Sequence, residues 1–429
     1  MTMEVVRQFA GETFSSLAIR NYRLYFIGRG FSHVGDWMQV VGVGWLVLDL
    51  TGSGVKLGTV LAIFFLPLLL GGPFLGIIPD RFDKRRVMFL TQSIMAALAL
   101  LLSVLVFFEL VQLWMLYAFA LLYGTVNAID TPTRQTFLHE MVGKDHLRNA
   151  VTLMSTEANL ARALGPLFAG ALIAGFGIAF CFFVNALSFV AVLVILSMMR
   201  EEEMHRETPS SEPIDLLSGF RYVRSVPLIR GVLISMAVIG TLSYEFQVSL
   251  PLLAKGTFGG GAADYAALLS AMGAGSVAGG LFAASRQRVA LHEFFLSMLL
   301  FGISILVTAV MPSVSLATVG MIFVGFFSIN LTSVGNTMIQ LEADSSLRGR
   351  VMALWSMAIF GSTLIGAPII GFLGEFANPR IALAVSGAAA LLTALFGGWR
   401  LLKLDRLLPI PAFIKIRREE EEAIAQTKV

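Results

Sequence analysis

Twelve apolar segments, each about as long as a membrane-spanning helix, alternate with short polar stretches along the 429-residue chain. A helix that crosses the hydrocarbon core of a bilayer needs about 20 mostly apolar residues. The pattern therefore predicts an all-α membrane protein with twelve transmembrane helices, numbered here in chain order as the first to the twelfth span. Their predicted ranges are 24–48, 57–78, 87–108, 112–131, 149–175, 178–198, 229–250, 263–284, 293–311, 314–336, 350–374 and 380–401.

Composition and charge agree with this pattern. Hydrophobic residues make up 56% of the chain and charged residues 14%, whereas an average soluble domain has about 25% charged residues, so a water-soluble fold is excluded. If the N-terminus is cytoplasmic, 26 of the 31 Lys and Arg residues fall on the inner side and only Lys56, Lys255 and Arg380 on the outer side. This bias predicts that both termini are cytoplasmic. The formal charge of +3 then reflects topology and anionic lipid, and we expect no nucleic-acid partner.

A charged segment near residues 200–213 divides the chain into two groups of six spans. The predicted domains are an N-terminal six-helix bundle (1–199), a cytoplasmic linker (200–227), a C-terminal six-helix bundle (228–402) and a cytoplasmic tail (403–429). Within the linker, apolar residues recur at helical spacing and predict a short amphipathic helix on the inner membrane surface. These residues are Leu216, Leu217, Phe220 and Val223.

The two halves carry similar sequences. Residues 147–151 (LRNAV) precede the fifth span and residues 347–351 (LRGRV) precede the eleventh, and further along each span a small residue is followed by proline, at Gly165-Pro166 and Ala367-Pro368. Parallel six-helix repeats are the architecture of one large class of membrane carriers. The sequence therefore predicts two pseudo-symmetric bundles.

The connection between the second and third spans has an acid followed by a basic cluster, GIIPDRFDKRR over residues 76–86. It resembles motif A of the major facilitator superfamily, G-x-L-x-D-R-x-G-R-R, with Asp83 in place of the usual glycine. The resemblance implies that Asp80 braces the second span against the start of the eleventh, near Arg348, since an acid complements the free amides of a helix N-terminus. A topology signal alone would explain the basic residues but not Asp80. The motif residues are Gly76, Asp80, Arg81, Lys84, Arg85 and Arg86.

The fifth span contains Gly165, Pro166 and Gly170, which are similar to motif C of exporters and antiporters, although small-residue packing alone would also place them there. Residues 35–37 (GDW), 127–135 (NAIDTPTRQ) and 347–352 (LRGRVM) resemble the drug and siderophore exporter branch, which contains enterobactin exporters and macrolide efflux proteins. The resemblance covers nearly the whole chain. It implies the major facilitator fold and an export carrier of the bacterial cytoplasmic (inner) membrane, and we expect a monomer whose partners are small-molecule cargo and membrane lipid.

Ionisable residues within the predicted spans need a partner, a wet cavity or a function, since each costs about 2.5–3.5 kcal/mol at the bilayer centre on insertion scales. Arg29, His33 and Asp36 lie on one face of the first span, at i, i+4 and i+7. Glu157 and Arg162 of the fifth span are offset by roughly 140° around their helix and are not predicted to pair with each other.

A third acid, Glu245, lies in the seventh span. Because removal from water favours the neutral form of a carboxyl group, we hypothesise that Asp36, together with Glu157 or Glu245, binds a coupling proton. The alternative is a structural ion pair of Asp36 with Arg29 or Arg162, and for His33 a hydrogen-bonded packing role. Further polar residues that are candidates for the cavity are Asn127, Asp130, Asn159, Tyr244, Gln247, Asn330 and Asn336.

These features favour a secondary active transporter that exports a bulky amphipathic solute of drug or siderophore type by alternating access, with proton antiport. No G-x-x-x-x-G-K-[S/T] loop occurs, so we expect no cofactor and a proton gradient as the energy source. One alternative is a lipid or lysolipid transporter with lateral cargo entry. A more remote one is a lipid-modifying membrane enzyme, which five scattered histidines and a single cysteine do not support, and we expect neither a metal site nor enzymatic activity.

Overall fold

Helices account for almost all of the computed structural model, which describes residues 14–75, 78–205, 216–286, 289–344 and 347–405. Within these ranges no strand is formed, and ten helices are long and apolar enough to cross a membrane. The prediction of an all-α membrane protein is confirmed.

The ten apolar helices correspond to twelve membrane crossings, because one of them contains two spans and the first span is not among the ten. Leu113–Phe176 is a helix of 64 residues that turns at Gly143, where φ is 66°. At 1.5 Å per residue it is about 96 Å long, enough for the fourth and fifth spans. The first span, Arg20–Thr51, has 32 residues, and its polar residues, among them Arg29, His33 and Asp36, leave it less apolar than the others.

The remaining spans follow the predicted order. They are Gly54–Leu75, Lys84–Phe107, Ala179–Met198, the interrupted pair Pro227–Leu242 and Phe246–Leu252 with the π-turn Leu253–Thr257, Ala262–Ala284, Leu291–Ala309, Val314–Glu342, the eleventh span from Arg348–Ser356 through the π-turn Met357–Gly361 to Thr363–Phe376, and Pro379–Asp405. Short helical turns occur at Ser15–Ala18, Ile78–Arg81 and Glu201–Glu203.

The fourth span is longer than predicted. The sequence pattern ends it at residue 131, but the helix continues through Pro132 to Gly143. A membrane helix tolerates proline because neighbouring groups satisfy the freed backbone atoms. As a result Asp130 and Arg134 lie within a span, not in a connection.

The linker lies at one end of the bundle, which we call the linker face, and we call the opposite end the distal face. Helix Leu216–Ser225 falls within the predicted linker and packs on the start of the eleventh span, where Arg350 Nη1 donates to Ser218 Oγ at 2.8 Å. Phe220 of this helix is exposed. The side chains of Leu216 and Leu217 lie outside the described residues.

Small residues set the helix contacts in the same way in both halves. The fifth and eleventh spans each use one glycine against a helix of their own half and a second against a helix of the other half. The contacts are Gly165 with Trp37, Gly170 with Ala266, Gly366 with Thr241, and Gly371 with Gly54. The repeat seen in the sequence therefore has a counterpart in the packing.

The two halves meet from the distal face inwards. At the distal face Lys255 Nζ lies 3.0 Å from Asp49 Oδ1, and the second and eleventh spans stay in contact down to the stacked rings of Phe65 and Phe360, 6.5 Å apart. Leu69, one turn further along, still packs on Gly361. The bundle is thus closed at the distal face.

We expect Gly275→Ala to lower the stability of the protein by about 1–3 kcal/mol, as overpacking does. A Cβ at Gly275 would overlap the Ile322 carbonyl, because the eighth and tenth spans touch through their backbones. Thermal unfolding in detergent measures the effect. The matched control on the same helix is Gly280→Ala, which meets open space and should leave the melting temperature unchanged or raise it. Equal melting of the Gly275 variant and wild type would contradict this packing.

Candidate functional site

A cavity of about 260 Å³ lies among the first four spans, with Gln247 of the seventh span at its edge. Its polar residues come from the parts of the first and fourth spans nearer the linker face, and its apolar wall from the parts nearer the distal face. The polar end is lined by Arg29, His33, Asp36, Asn127, Asp130 and Arg134, and the apolar wall includes Leu57, Val60, Leu61, Phe64, Met95 and Phe119. The cavity therefore suits a molecule with one polar and one apolar end.

Asp36 is the acid that this cavity exposes most. Its Oδ2 lies 3.1 Å from Nη2 of Arg29, and its Oδ1 accepts a hydrogen bond from Tyr123 at 3.1 Å. The Asp36 side chain is 26% exposed, whereas that of Arg29 is 4% exposed. The cavity thus presents a carboxylate whose partner cation lies behind it.

His33 joins the first, fourth and fifth spans. Its Nε2 accepts a hydrogen bond from Arg29 Nε at 3.1 Å and lies 3.3 Å from Arg134 Nη1. Guanidinium groups only donate hydrogen bonds, so Nε2 is the acceptor and Nδ1 carries the proton of a neutral ring. Nδ1 lies 2.8 Å and 2.7 Å from the two carboxyl oxygens of Glu157 and donates to that carboxyl group.

Asp130 is the most deeply buried acid of the group, at 1% exposure. Its Oδ1 accepts from Thr91 Oγ1 at 2.6 Å and from Gln92 Nε2 at 2.9 Å. Its Oδ2 lies 2.8 Å from Arg134 Nε, an ion pair in which the Nε–H is not aligned as a hydrogen bond. With a cation and two hydrogen-bond donors, Asp130 holds the third and fourth spans together.

The connected network contains three carboxyl groups and two guanidinium groups. Asp36 pairs with Arg29 and Asp130 with Arg134, whereas the hydrogen-bond partner of Glu157 among the described residues is the neutral His33 ring. If every acid were ionised, the network would carry one uncompensated negative charge in a low-dielectric setting, which is costly. One added proton makes it neutral.

Arg162, the other cation of these spans, lies apart from the network. Its guanidinium is stacked over the Trp37 ring, 5.2 Å from the centroid, and Tyr244 is nearby. It pairs with neither Glu157 nor Asp36 in the described contacts. Of the two ion pairs considered for Asp36, the structure therefore forms the one with Arg29, and the choice between a structural and a coupling role stays with experiment.

Glu245 lies in a separate setting, at the break between the two helices of the seventh span. It is 4% exposed, with Thr363 and Gly366 of the eleventh span beside it. Its Oε1 has no hydrogen-bond partner among the described residues. The structure thus separates Glu245 from the Asp36 network.

The polar candidates divide into two groups. Asn127, Asp130 and Gln247 line the cavity, but four others do not and instead make helix contacts. These are Asn159 with the Ser155 carbonyl, Tyr244 with the Ser328 carbonyl, Asn330 with the Phe326 carbonyl, and Asn336 with Gln340. Because their polar groups are used in these helix contacts, none of the four lines this cavity.

Sequence reasoning missed Arg134 and Tyr123. The charge count of the sequence places Arg134 on the cytoplasmic side, beyond the predicted end of the fourth span at residue 131, whereas it lies in the fourth span and pairs with Asp130. The i, i+4 spacing of Asp130 and Arg134 is the signal that could have revealed it. For Tyr123, which bonds Asp36 from another helix, the sequence holds no such signal.

Two of the basic residues of motif A, Lys84 and Arg85, join the third span to other helices of the N-terminal half. Lys84 Nζ lies 2.6 Å from Glu140 Oε1, and Arg85 donates to the Leu196 carbonyl at 2.6 Å and 2.9 Å. Asp83, which replaces the usual glycine, caps the third span by accepting from the Arg86 amide. Arg81 and Arg86 are exposed.

The predicted brace between the second and eleventh spans involves other parts of the chain. Gly76 and the side chain of Asp80 lie outside the described residues, as do residues 345–346. Arg348 Nη2 reaches the Ala343 carbonyl at 3.5 Å. The brace therefore stays a prediction.

Comparison with known proteins agrees with this architecture. The chain shares 25% identity over 343 residues with a staphyloferrin A transporter of Staphylococcus aureus (78% of this chain, 85% of that one). It shares 23% over 399 residues with an enterobactin exporter of Shigella boydii (91% and 94%). An uncharacterised major facilitator-type transporter of Bacillus subtilis is 26% identical over 381 residues (85% and 89%).

Solved structures show the same fold. The peptide transporter POT in complex with sulfate superposes with a TM-score of 0.72 at 14% identity, covering 90% of this chain and 95% of that one. An inward-facing, unoccupied bacterial homologue of the human lysosomal transporter Spinster gives 0.68 at 14% identity, with 88% and 94% covered. The family described as transmembrane secretion effector matches residues 11–407. The chain therefore belongs to the transmembrane secretion effector family and is a transporter of the major facilitator superfamily.

Proposed function

We propose that this transporter exports a bulky amphipathic solute of drug or siderophore type in exchange for protons, by alternating access. The observation that carries the proposal is the network of Arg29, His33, Asp36, Arg134 and Glu157 at the polar end of a cavity whose other end is apolar. Relatives that export or transport siderophores support an organic cargo with polar groups.

The shape of the cavity supports an amphipathic cargo. Phe119 stacks on Tyr123 at 5.4 Å, and Phe64 lies 6.0 Å from the same ring, so an aromatic wall leads directly to Asp36. At about 260 Å³ the cavity is just below the range of drug-sized pockets. It accommodates one part of a bulky solute, while the rest extends past Gln247 toward the C-terminal half.

The charge imbalance of the network supports proton coupling. With one proton bound, the network is neutral and stable in the apolar interior. A hydrogen-bond donor of the cargo that binds Asp36 stabilises the ionised carboxylate and so favours release of the proton, and a cationic group of the cargo would also compensate the charge. Because Asp36 and Glu157 are linked through Arg29 and His33, a change of charge at one carboxyl group alters the field at the other.

Orientation follows from the basic residues. With both termini and the linker face in the cytoplasm of a bacterial cell, and the bundle in the inner membrane, the closed distal face is periplasmic. The polar end of the cavity then lies toward the cytoplasm, where an exporter loads its cargo. Each chain holds a complete cavity, so we propose a functional monomer.

Asp36→Asn should abolish cargo-driven proton movement while the protein remains folded. The amide keeps the size of the side chain but cannot bind and release a proton. Everted membrane vesicles are energised and challenged with lipophilic drugs, macrolides and catecholate siderophores, and proton movement is followed by a pH-sensitive dye. Asp49→Asn, which removes an acid that is 65% exposed at the distal face, is the matched control and should couple normally. Normal coupling in Asp36→Asn would make Asp36 structural and transfer coupling to Glu157 or Glu245.

Glu245→Gln should leave proton coupling and transport close to wild type. A buried carboxyl group with no cation among its described contacts is neutral at rest, and the amide is its nearest neutral substitute. The same vesicle assay measures the effect, beside thermal unfolding as a check on folding. Loss of coupling in a well-folded Glu245→Gln variant would instead assign the coupling proton to the C-terminal half.

A further inference from the structure

The distal end of the second span is capped by an acid from the opposite half. Glu375 Oε2 accepts a hydrogen bond from Ser53 Oγ at 2.6 Å and another from the Val55 amide at 3.0 Å. The first amides of a helix have no partner within the helix, and a negative charge there also complements the helix dipole. Glu375 belongs to the eleventh span, so this cap joins the two halves.

The cap can form only while the second and eleventh spans touch. Gly54 and Gly371 meet backbone to backbone, and a Cβ at Gly58 would overlap the Ala367 carbonyl. A carboxyl group at the end of a short side chain cannot follow the Ser53 hydroxyl if these helices separate. The hydrogen bonds of Glu375 are therefore present only while the distal face is closed, and they stabilise that closed arrangement.

The two helices run antiparallel, so the end of each lies beside the start of the other. At the distal face Glu375, one residue before the end of the eleventh span at Phe376, reaches the start of the second. At the linker face Asp80 follows the end of the second span, and the resemblance to motif A implies that it reaches the start of the eleventh. The prediction for Asp80 thus places at the linker face the same pairing of an acid with a helix N-terminus that Glu375 forms at the distal face.

We infer that Glu375 is a positioning residue of the transport cycle, which latches the distal face closed as the counterpart of Asp80 at the linker face. The inference rests on the proposed alternating access. The latch holds the bundle closed toward the distal side while cargo loads, and its release accompanies opening on that side.

The ion pair that joins the halves at this face is exposed on both sides. Lys255 and Asp49 are side chains that are 37% and 65% exposed, and exposed ion pairs contribute little. Glu375 is also reached by water, but it binds a backbone amide and a hydroxyl group that are fixed in the first turn of the second span. Asp49→Asn is therefore a matched control at the same face.

Double electron–electron resonance, which measures the distance between two spin labels, tests the latch in a Cys181→Ser background. One pair of spin labels, at Leu110 and Pro312, spans the distal face, and a second pair, at Asp145 and Ser285, spans the linker face; all four positions are exposed. In Glu375→Ala we expect the ratio of distal-open to distal-closed molecules to rise about fivefold, the effect of losing a helix cap. The linker-face distances should shorten in the same molecules.

Two further variants calibrate this result. Glu375→Gln keeps an acceptor but loses the charge, so its ratio should fall between those of wild type and Glu375→Ala. Asp49→Asn should change the ratio by less than about twofold. If Glu375→Ala does not fold, Ser53→Ala removes one of the two donors and should shift the ratio in the same direction.

Unchanged distances in Glu375→Ala would overturn the inference. Broadening at both faces without the opposite shifts, together with a lower melting temperature, would also overturn it, since that is the behaviour of a purely structural cap. The vesicle assay, run on wild type beside Asp36→Asn, separates the two proposals. If cargo drives proton movement in wild type but the distances in Glu375→Ala do not change, only the latch is rejected. If the distances shift but no cargo drives proton movement, only proton-coupled export is rejected.

Discussion

The need to compensate charge inside a membrane governs the N-terminal half of this protein. Arg29 is 3% exposed in the middle of an apolar bundle, and it donates to Ser32, His33 and Asp36 on its own helix. Those partners lie on the face of the first span that meets Tyr123 and Arg134 of the fourth span and Glu157 of the fifth. The neutral ring of His33 and the polar end of the cavity follow from where this one cation is held.

The two halves differ in where their ionisable residues lie. The described C-terminal half packs through apolar side chains and glycines, as in the backbone contact of Gly275 with Ile322, and its buried acid, Glu245, lies away from the cavity. The N-terminal half carries the ionisable network. In the proposed alternating access, rocking of one half against the other would move an apolar body past a charged one, and the proposed Glu375 latch and the glycine contacts at the distal face would limit that movement.

Helix number and the charged face of the first span could be predicted from the sequence, because both depend on spacing along one helix. Arg29, His33 and Asp36 fall on one face by periodicity alone, and they do form one cluster. Contacts between helices could not be predicted. The bond from Tyr123 to Asp36 depends on how two helices are rotated toward each other, which no pattern along one helix records. The spacing of Arg134 from Asp130 is visible in the sequence, but the apolar pattern ends the fourth span at residue 131 and gives no sign that the helix continues past Pro132. For the same reason the sequence could not show that Asn330 does not line the cavity. Its amide donates to the Phe326 carbonyl of its own helix and to the Gly279 carbonyl of a neighbouring one.

The central claim is that the network holds one exchangeable proton because it has one acid more than it has cations. Infrared spectroscopy of the purified protein tests this most directly, in a Glu245→Gln background that removes the buried carboxyl group of the C-terminal half, which has no cation among its described contacts. The buried Glu140 is paired with Lys84. The account predicts a protonated-carboxyl band that titrates away as the pH rises, and that is absent from both Asp36→Asn and Glu157→Gln, since either substitution balances the remaining charges. A band that persists unchanged in both variants would contradict the account.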